Sequence, residues 1–317
     1  MRADGIGDAL ACAPLIAALR DAGHTVGAVL GAENREIFAR RTFETVHVLE
    51  RIPWPRHGST ARSRATALAE VRAARYDAAL VASEEIDAFA FARDGAIARR
   101  IGFVNGLEKP LKSLRVRALI TEAIVRPASA RRAREHEAET LFRLGAGLSA
   151  EREPTRDPER LRPLVLDDPV APHGAVVMQV SRKLARGGLD LGAYVALGRE
   201  LARAGHAVVA VGDDAAAVAE AARASGAEPR SGLSTVQWKA CVAGARAIVT
   251  PDSGAAHVAG MTGVPCVDCF PLIGTTPHDI RRWRPWASRY QAIVLDPRRD
   301  PAATGAALAR AVEELVE

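Results

Sequence analysis

The stretch from Thr250 to Pro265, TPDSGAAHVAGMTGVP, combines a carboxylate and a histidine with many small residues. Ser253 and Gly254 stand where a helix begins after the apolar run AIVT, and the first N–H groups of a helix have no partner within it. With the helix dipole they attract an anion such as a pyrophosphate. Two interpretations follow: an anion site at which Asp252 and His257 contact a ligand, or an N-capped core helix with a buried histidine. The pattern alone favours neither.

A second segment, Gln179–Gly188 (QVSRKLARGG), places hydroxyl and cationic side chains next to paired glycines. Ser181, Arg182, Lys183 and Arg186 could wrap a diphosphate and stabilise a leaving group, because charge-assisted hydrogen bonds to phosphate are strong. The alternative is a solvated basic loop with no ligand.

The third segment, DGIGDAL, brings two glycines and Asp8 to a junction between a loop and a helix. It is a weak dinucleotide fingerprint, since Cys12 and Ala13 stand near the place of the third glycine. Asp8 either caps the helix or takes a proton from an acceptor hydroxyl as a general base.

Three other patterns favour structural roles. In VGDDAA the carboxylates either cap the following helix or bind ribose hydroxyls, and capping is the simpler interpretation. In CVDC the cysteines lie three apart on a strand and point to opposite faces, which favours buried thiols over metal ligands. HEAET has Thr140 in place of the second histidine of a zinc protease motif, so it predicts a helix start. No metal site is predicted.

The sequence alternates predicted strands with amphipathic helices, and these elements must position the candidate segments. Parallel sheets covered on both faces follow from this alternation, and such sheets bind ligands beyond the carboxyl ends of their strands. The fold class predicted is α/β, with Rossmann-like doubly wound domains. Strands are predicted at 25–30, 46–49, 78–82, 175–180, 207–211, 247–250, 265–270 and 292–295, and helices at 8–22, 60–74, 131–144, 191–204 and 235–243.

The alternation is interrupted between Arg152 and Gly174, where five prolines occur without a helical periodicity. The sequence therefore predicts a first domain at 1–155, a Pro-rich linker at 156–172 and a second domain at 173–317. Only Met1 and Arg2 precede the first glycine loop, although a doubly wound domain needs a central strand there. We expect the first strand to be absent from this sequence because the true chain begins several residues upstream.

Composition limits the classes of partner. No run approaches the ~18 apolar residues of a membrane span, and acidic residues replace the basic start of a signal peptide. Four cysteines in 317 residues do not form a disulfide framework, so a reducing cytoplasm is expected. The net charge is +5 with a pI near 9.3, but aromatic residues are 4% of the chain. Anionic substrates or a phosphate-bearing membrane surface suit this balance at least as well as nucleic acid.

Four segments, in this order, resemble the heptosyltransferase family of bacterial glycosyltransferases (glycosyltransferase family 9). They are DGIGDALACAPLIAALRDAG, HEAETLFRLGAGL, TPDSGAAHVAGMTGVPCVDCF and PHDIRRWRPWASRYQAIVL. The third matches the family signature D-(S/T)-G-x-x-H-x-A, which is followed by a proline. The resemblance extends over most of the chain.

The resemblance implies a GT-B fold, in which two Rossmann-like domains face a central cleft with the acceptor on the first and a nucleotide-sugar on the second. It also implies inverting transfer of heptose from ADP-heptose to the lipopolysaccharide core, an anionic glycolipid, without a metal or a cofactor. Such an enzyme would be cytoplasmic, in peripheral contact with the inner membrane surface.

By matched position, Asp8 would be the general base and Lys183 would neutralise the departing diphosphate. The predicted donor-binding residues are Ser181, Arg182, Asp252, Ser253, Gly254 and His257. Gly7, Arg62 and Arg64 are predicted to bind the acceptor, although the Arg-rich segments PRHGSTARSR and LKSLRVRAL could equally be solvated helix faces.

Two blocks depart from the family pattern. The usual K-R-W-P block is SRKLARGGLDL here, and the later F-G-P-T-D-P block is FPLIGTTP. Both lie near the expected donor, so two alternatives stay open. One is transfer by the same fold of a different sugar or onto another cell-surface glycan, and the other is a nucleotide-sugar-binding relative without activity.

Overall fold

The computed structural model describes residues 1–2, 5–50 and 59–317, in two compact units, Met1–Thr155 and Arg156–Glu317. Asp4 and the first residues of PRHGSTARSR, both parts of predicted segments, lie outside the described residues. Within these ranges no helix combines the length and the apolar composition needed to cross a bilayer.

The first unit alternates short parallel strands with helices. Its strands are β1 (Ala28–Gly31), β2 (Val46–Leu49), β3 (Ala78–Val81), β4 (Arg99–Val104) and β5 (Glu122–Val125), and its helices are α1 (Ile6–Leu10), α2 (Ala13–Asp21), α3 (Ala61–Ala74), α4 (Ile86–Asp94), α5 (Pro110–Arg117) and α6 (Glu137–Phe142). Sheets β1–β2 and β3–β4–β5 are both parallel.

Met1 and Arg2 take the place of a strand between these two sheets. The Arg2 N–H donates to Val29 O at 3.0 Å, and the Met1 amino group donates to Leu80 O at 2.7 Å. The resulting order is β2–β1–(Met1, Arg2)–β3–β4–β5, the doubly wound order with two residues in the central position. Beside them is a mainly apolar cavity of about 340 Å³.

The second unit holds one fully parallel sheet of order β11–β10–β9–β6–β7–β8. Its strands are β6 (Val176–Gln179), β7 (Val208–Gly212), β8 (Glu228–Ser231), β9 (Ala247–Pro251), β10 (Cys266–Pro271) and β11 (Tyr290–Leu295), and its helices are α7 (Pro158–Val165), α8 (Leu191–Arg203), α9 (Ala215–Ser225), α10 (Thr235–Ala243), α11 (Gly254–Thr262), α12 (Thr276–Trp283) and α13 (Pro301–Val316). Helices α8 and α13 cover one face of the sheet, with a core that includes Val176, Val249 and Val267.

Helix α7 corrects the expectation of an irregular linker at 156–172. It begins with Pro158 at its first position, which tolerates a residue without an N–H. Asp157 caps it by accepting from Glu159 N–H at 3.0 Å. Leu161 and Leu164 are buried, and the helix packs against α11. This part of the proline-rich segment therefore belongs to the second unit.

Candidate functional site

The order of the second sheet reverses between β6 and β9, so the loops that follow these two strands leave the sheet on either side of this point. Parallel doubly wound sheets bind ligands at such a reversal, beyond the carboxyl ends of the strands. The loop after β6 carries Ser181, Arg182 and Lys183, and the loop after β9 carries Asp252 and leads into α11.

A hydrogen bond joins these two loops. The Lys183 ammonium group donates to the Asp252 carbonyl oxygen, and the Asp252 N–H donates to Cys269 O at 2.9 Å. The loop after β9 is thus fixed to the neighbouring strand β10 and to the loop after β6. Lys183 is exposed, so a cation stands at the open side of this junction.

Ser253 is the N-cap of α11, so the helix begins where the sequence indicates. Its Oγ accepts from Ala255 N–H at 3.4 Å and lies 3.1 Å from Thr250 Oγ1. Within the described part of the chain, the Gly254 N–H has no hydrogen-bond acceptor. A free N–H at the start of a helix and the nearby Lys183 ammonium provide the donors that a phosphate group requires.

His257 lies one turn into α11 and is buried. Its ring packs edge to face against Trp283, with 5.9 Å between ring centroids. This position agrees with the core-histidine interpretation of the sequence. Contact between His257 and a donor stays a prediction.

The other two predicted donor residues have local partners. Ser181 Oγ accepts from Lys183 N–H at 3.1 Å, which shapes the loop after β6. Arg182 forms an ion pair with Asp214 at 2.7 Å. Asp214 also caps α9 by accepting from Ala217 N–H at 3.1 Å, so the capping interpretation of VGDDAA is confirmed for this residue.

Sequence reasoning missed Asp268 as a residue of this region. It lies on β10 opposite Thr250 of β9, while its neighbours Val267 and Cys269 enter the core on the other face. Its side chain is fully buried, and neither carboxyl oxygen has a hydrogen-bond partner among the described residues. Burial and the nearby Asp252 raise the pKa of Asp268 well above its ordinary value, and Lys183 lowers it less strongly. Asp268 is therefore neutral over a wider pH range than an ordinary carboxyl.

In the first unit, Asp8 lies on the short helix α1, directly after the two residues in the central strand position. The helix begins at Ile6, and its N-cap Gly5 makes no side-chain cap. The interpretation of Asp8 as the N-cap was therefore wrong, because the helix starts two residues earlier than the glycine pattern indicates. Instead, Asp8 Oδ1 accepts a hydrogen bond from the Arg2 guanidinium, and its side chain stays 31% exposed.

Buried charges surround Arg2. Its guanidinium also donates to Ala82 O and lies 3.9 Å from the Glu137 carboxylate. Glu137 is buried and accepts two hydrogen bonds from Arg126, both at 3.2 Å. Asp8 is thus the partly exposed end of a chain of alternating charges. The spacing of these residues in the sequence gives no sign of it, since Arg126 and Glu137 come from distant segments.

The three predicted acceptor residues lie in different places. Gly7 is on α1 next to Asp8, and Arg62 is exposed on α3. Arg64, also on α3, bonds to Asp87 at 2.9 Å and to Asp94 at 2.7 Å. Because two carboxylates bind its guanidinium, Arg64 has a structural role in the first unit.

The chain belongs to glycosyltransferase family 9 (heptosyltransferase), whose family model matches residues 64–305. No curated protein is significantly similar to it in sequence. Among solved structures, E. coli heptosyltransferase WaaC with ADP is 17% identical, with a TM-score of 0.76 and 99% of each chain covered.

Two further structures have the same fold. A family 9 glycosyltransferase from Veillonella parvula is 13% identical with a TM-score of 0.73, covering 99% of this chain and 95% of its own. The E. coli ADP-heptose lps heptosyltransferase II is 16% identical with a TM-score of 0.67, covering 98% of each. These similarities establish the GT-B type of fold, with two Rossmann-like parts.

Replacing Asp268 by Asn tests the ionisation of this buried carboxyl. A group whose pKa is raised in the folded state loses stabilisation as the pH rises above its unfolded value, ~3.9 for Asp. We expect D268N to unfold with a higher free energy than the wild type at pH 7, by about 1 kcal/mol or more, and with little difference near pH 4. Urea unfolding at both pH values measures this.

The exposed Asp213 gives the control, since D213N is expected to change stability by no more than about 0.5 kcal/mol. Equal stability of wild type and D268N at both pH values would contradict a protonated Asp268.

Proposed function

We propose that the chain is an inverting glycosyltransferase that moves heptose from ADP-heptose to an anionic glycolipid of the lipopolysaccharide core. The observation that carries this proposal is the hydrogen-bonded pair of loops at the sheet reversal of a family 9 chain. A family neighbour was solved with ADP-2-deoxy-2-fluoro heptose, at 18% identity and a TM-score of 0.72. That complex concerns the neighbour, and it motivates the choice of donor here.

The donor diphosphate would bind at the N-terminus of α11. Ser253 and Gly254 would supply hydroxyl and N–H donors, and Lys183 would supply a positive charge at the oxygen that leaves. Asp252 would hold the loop through its backbone, and Ser181, Arg182 and His257 would border the nucleotide.

Transfer would proceed by in-line displacement at the anomeric carbon. Asp8 would take the proton from the acceptor hydroxyl as that oxygen forms the new C–O bond. The bond between the anomeric carbon and the diphosphate oxygen would break, and ADP would leave with its added charge stabilised by Lys183 and the helix N-terminus. The scheme requires no metal, because protein cations and N–H groups carry the leaving-group charge.

The acceptor would be a lipid-anchored anionic saccharide, met at the cytoplasmic face of the inner membrane. Basic composition supports this, with a net charge of +5 for the whole chain. Gly7 would border the acceptor beside Asp8, and the exposed Arg62 on α3 would supply a further positive charge for it. Arg64 is left out of this proposal because its carboxylate partners already bind it.

Nucleotide binding tests the choice of donor. A ligand that binds only the folded state raises the melting temperature with its concentration. We expect ADP to raise the melting temperature more than UDP or GDP at equal concentrations, and K183A to reduce the ADP effect because the diphosphate loses a cation. Stabilisation by UDP or GDP without an effect of ADP would contradict an ADP-heptose donor.

Replacing Asp8 by Asn tests the general base. D8N keeps the size of the side chain but cannot accept the proton, so the turnover number with ADP-heptose and a lipopolysaccharide-core acceptor should fall at least about 100-fold. The affinity for ADP, measured by calorimetry, should stay within about twofold, because Asp8 takes part in a step after donor binding.

The matched control is D87N, since Asp87 also pairs with an arginine and its side chain is 39% exposed. This variant should retain turnover. If D8N turns over at the wild-type rate, Asp8 is not the base. If the wild type binds ADP but transfers to no core acceptor, the inactive-relative alternative replaces the proposal.

A further inference from the structure

Three leucines of the first unit are turned to solvent. Leu107, Leu111 and Leu114 are 96%, 75% and 69% exposed. Leu111 and Leu114 are three residues apart on α5 and so lie on the same side of that helix, and Leu107 is on the 3-10 helix Gly106–Glu108 that precedes it. We name these three residues the leucine face. An amphipathic helix of a globular protein ordinarily packs its leucines inward, so the orientation here is reversed.

The same helix buries other residues against its own unit. Ser113 and Val116 are buried on α5, and Ser113 Oγ donates to Gly106 O at 3.1 Å. The helix is therefore held firmly while its leucines stay outside. Val125 at the end of the edge strand β5 is also exposed, and its Cγ1 lies 3.7 Å from where a Cβ on Gly106 would stand. The apolar surface thus extends from the helix to the sheet edge.

Cations surround the leucine face. Lys109, Arg115 and Arg117 are exposed on or beside α5, and residues 106–134 present six exposed Lys and Arg residues against two exposed acidic residues. Each of these acids is already paired: Glu108 with Arg132 at 3.2 Å, and Glu122 with Arg99. The surface is therefore positively charged around an apolar centre.

This combination fits a lipid surface better than a protein partner. Protein interfaces favour aromatic anchors in a fitted, desolvated centre, and none of the exposed apolar residues here is aromatic. A bilayer requires no matching shape: leucines enter the boundary between headgroups and acyl chains, and long cationic side chains reach lipid phosphates. Clustered cations beside exposed apolar side chains bind anionic leaflets in this way.

We infer that the leucine face and its cations dock the first unit on an anionic phospholipid bilayer. This inference deepens the proposed function, because it locates the surface by which the enzyme would meet a lipid-anchored acceptor. It concerns the part of the chain that also carries Asp8.

Vesicle sedimentation without any nucleotide tests the inference. The wild-type protein should sediment with vesicles of three parts phosphatidylcholine to one part phosphatidylglycerol, and much less with phosphatidylcholine alone. Combined L107S, L111S and L114S substitutions should weaken binding to the anionic vesicles at least about tenfold. Combined K109Q, R115Q and R117Q substitutions should weaken it similarly and reduce its dependence on salt.

The matched control is the pair L272S and I273S in the second unit, where both side chains are also more than half exposed. This variant should bind vesicles like the wild type. All substituted residues are exposed, so unchanged melting temperatures establish that the variants fold. Equal vesicle binding by the leucine variant and the wild type would overturn the inference, as would concentration-dependent dimerisation that is lost in that variant without any vesicle binding.

The nucleotide experiments separate this result from the proposed function. Vesicle binding with no response to ADP would leave the docking surface in place and remove the donor. An ADP response with no vesicle binding would leave the donor in place and remove the docking surface.

Discussion

The hydrogen bond from the Lys183 ammonium group to the Asp252 carbonyl oxygen is the contact on which the candidate donor site depends. It joins two loops that come from strands on either side of a sheet reversal. All strand pairs in the described ranges are parallel, so the strands of one sheet end at the same edge. Residues about 70 apart in the sequence therefore meet, and the first turn of α11 faces the same opening.

The second constraint is the cost of burying charged side chains, and the two units reduce this cost in different ways. In the first unit, Glu137 and Arg126 neutralise each other, and Arg2 connects this pair to the more exposed Asp8. In the second unit, Asp268 has no such partner among the described residues, and burial raises the pKa of its carboxyl well above the ordinary value. Lowering the charge of a buried group in this way avoids the cost of an unpaired ion.

Much of the fold could be predicted because apolar runs and helical periodicity reflect which side chains are buried. Strand β2 and helix α10 have the predicted bounds, and His136 begins α6 with a capping box. Three strands were missed for physical reasons. Strand β4 begins with two arginines, β5 has only four residues, and the polar β8 contains a proline at the edge of its sheet. The edge strands β5 and β8 need no apolar run, because most of their side chains are exposed or half-buried.

The site was predicted in part. The N-cap at Ser253 follows from local sequence, since small polar residues before an apolar helix satisfy its first N–H groups. The other features of the candidate site depend on which side chains bind each other. Sequence spacing cannot show that Arg2 binds Asp8, that Arg64 is already bound by two carboxylates, or that Asp268 lies opposite Thr250. The Arg64 and Asp268 contacts depend on how helices and strands pack, which brings distant residues together, and the contact between Arg2 and Asp8 depends on the position of Arg2 beside β1.

The proposed function requires a nucleotide diphosphate to bind at the first turn of α11 beside Lys183. Backbone amide resonances of isotope-labelled protein, followed by NMR during titration with ADP, test it most directly. We expect saturable shifts of the Gly254 and Ala255 amides, together with a shift of the Lys183 amide in the adjoining loop. Saturable ADP binding that moves other amides while leaving these three unchanged would contradict it.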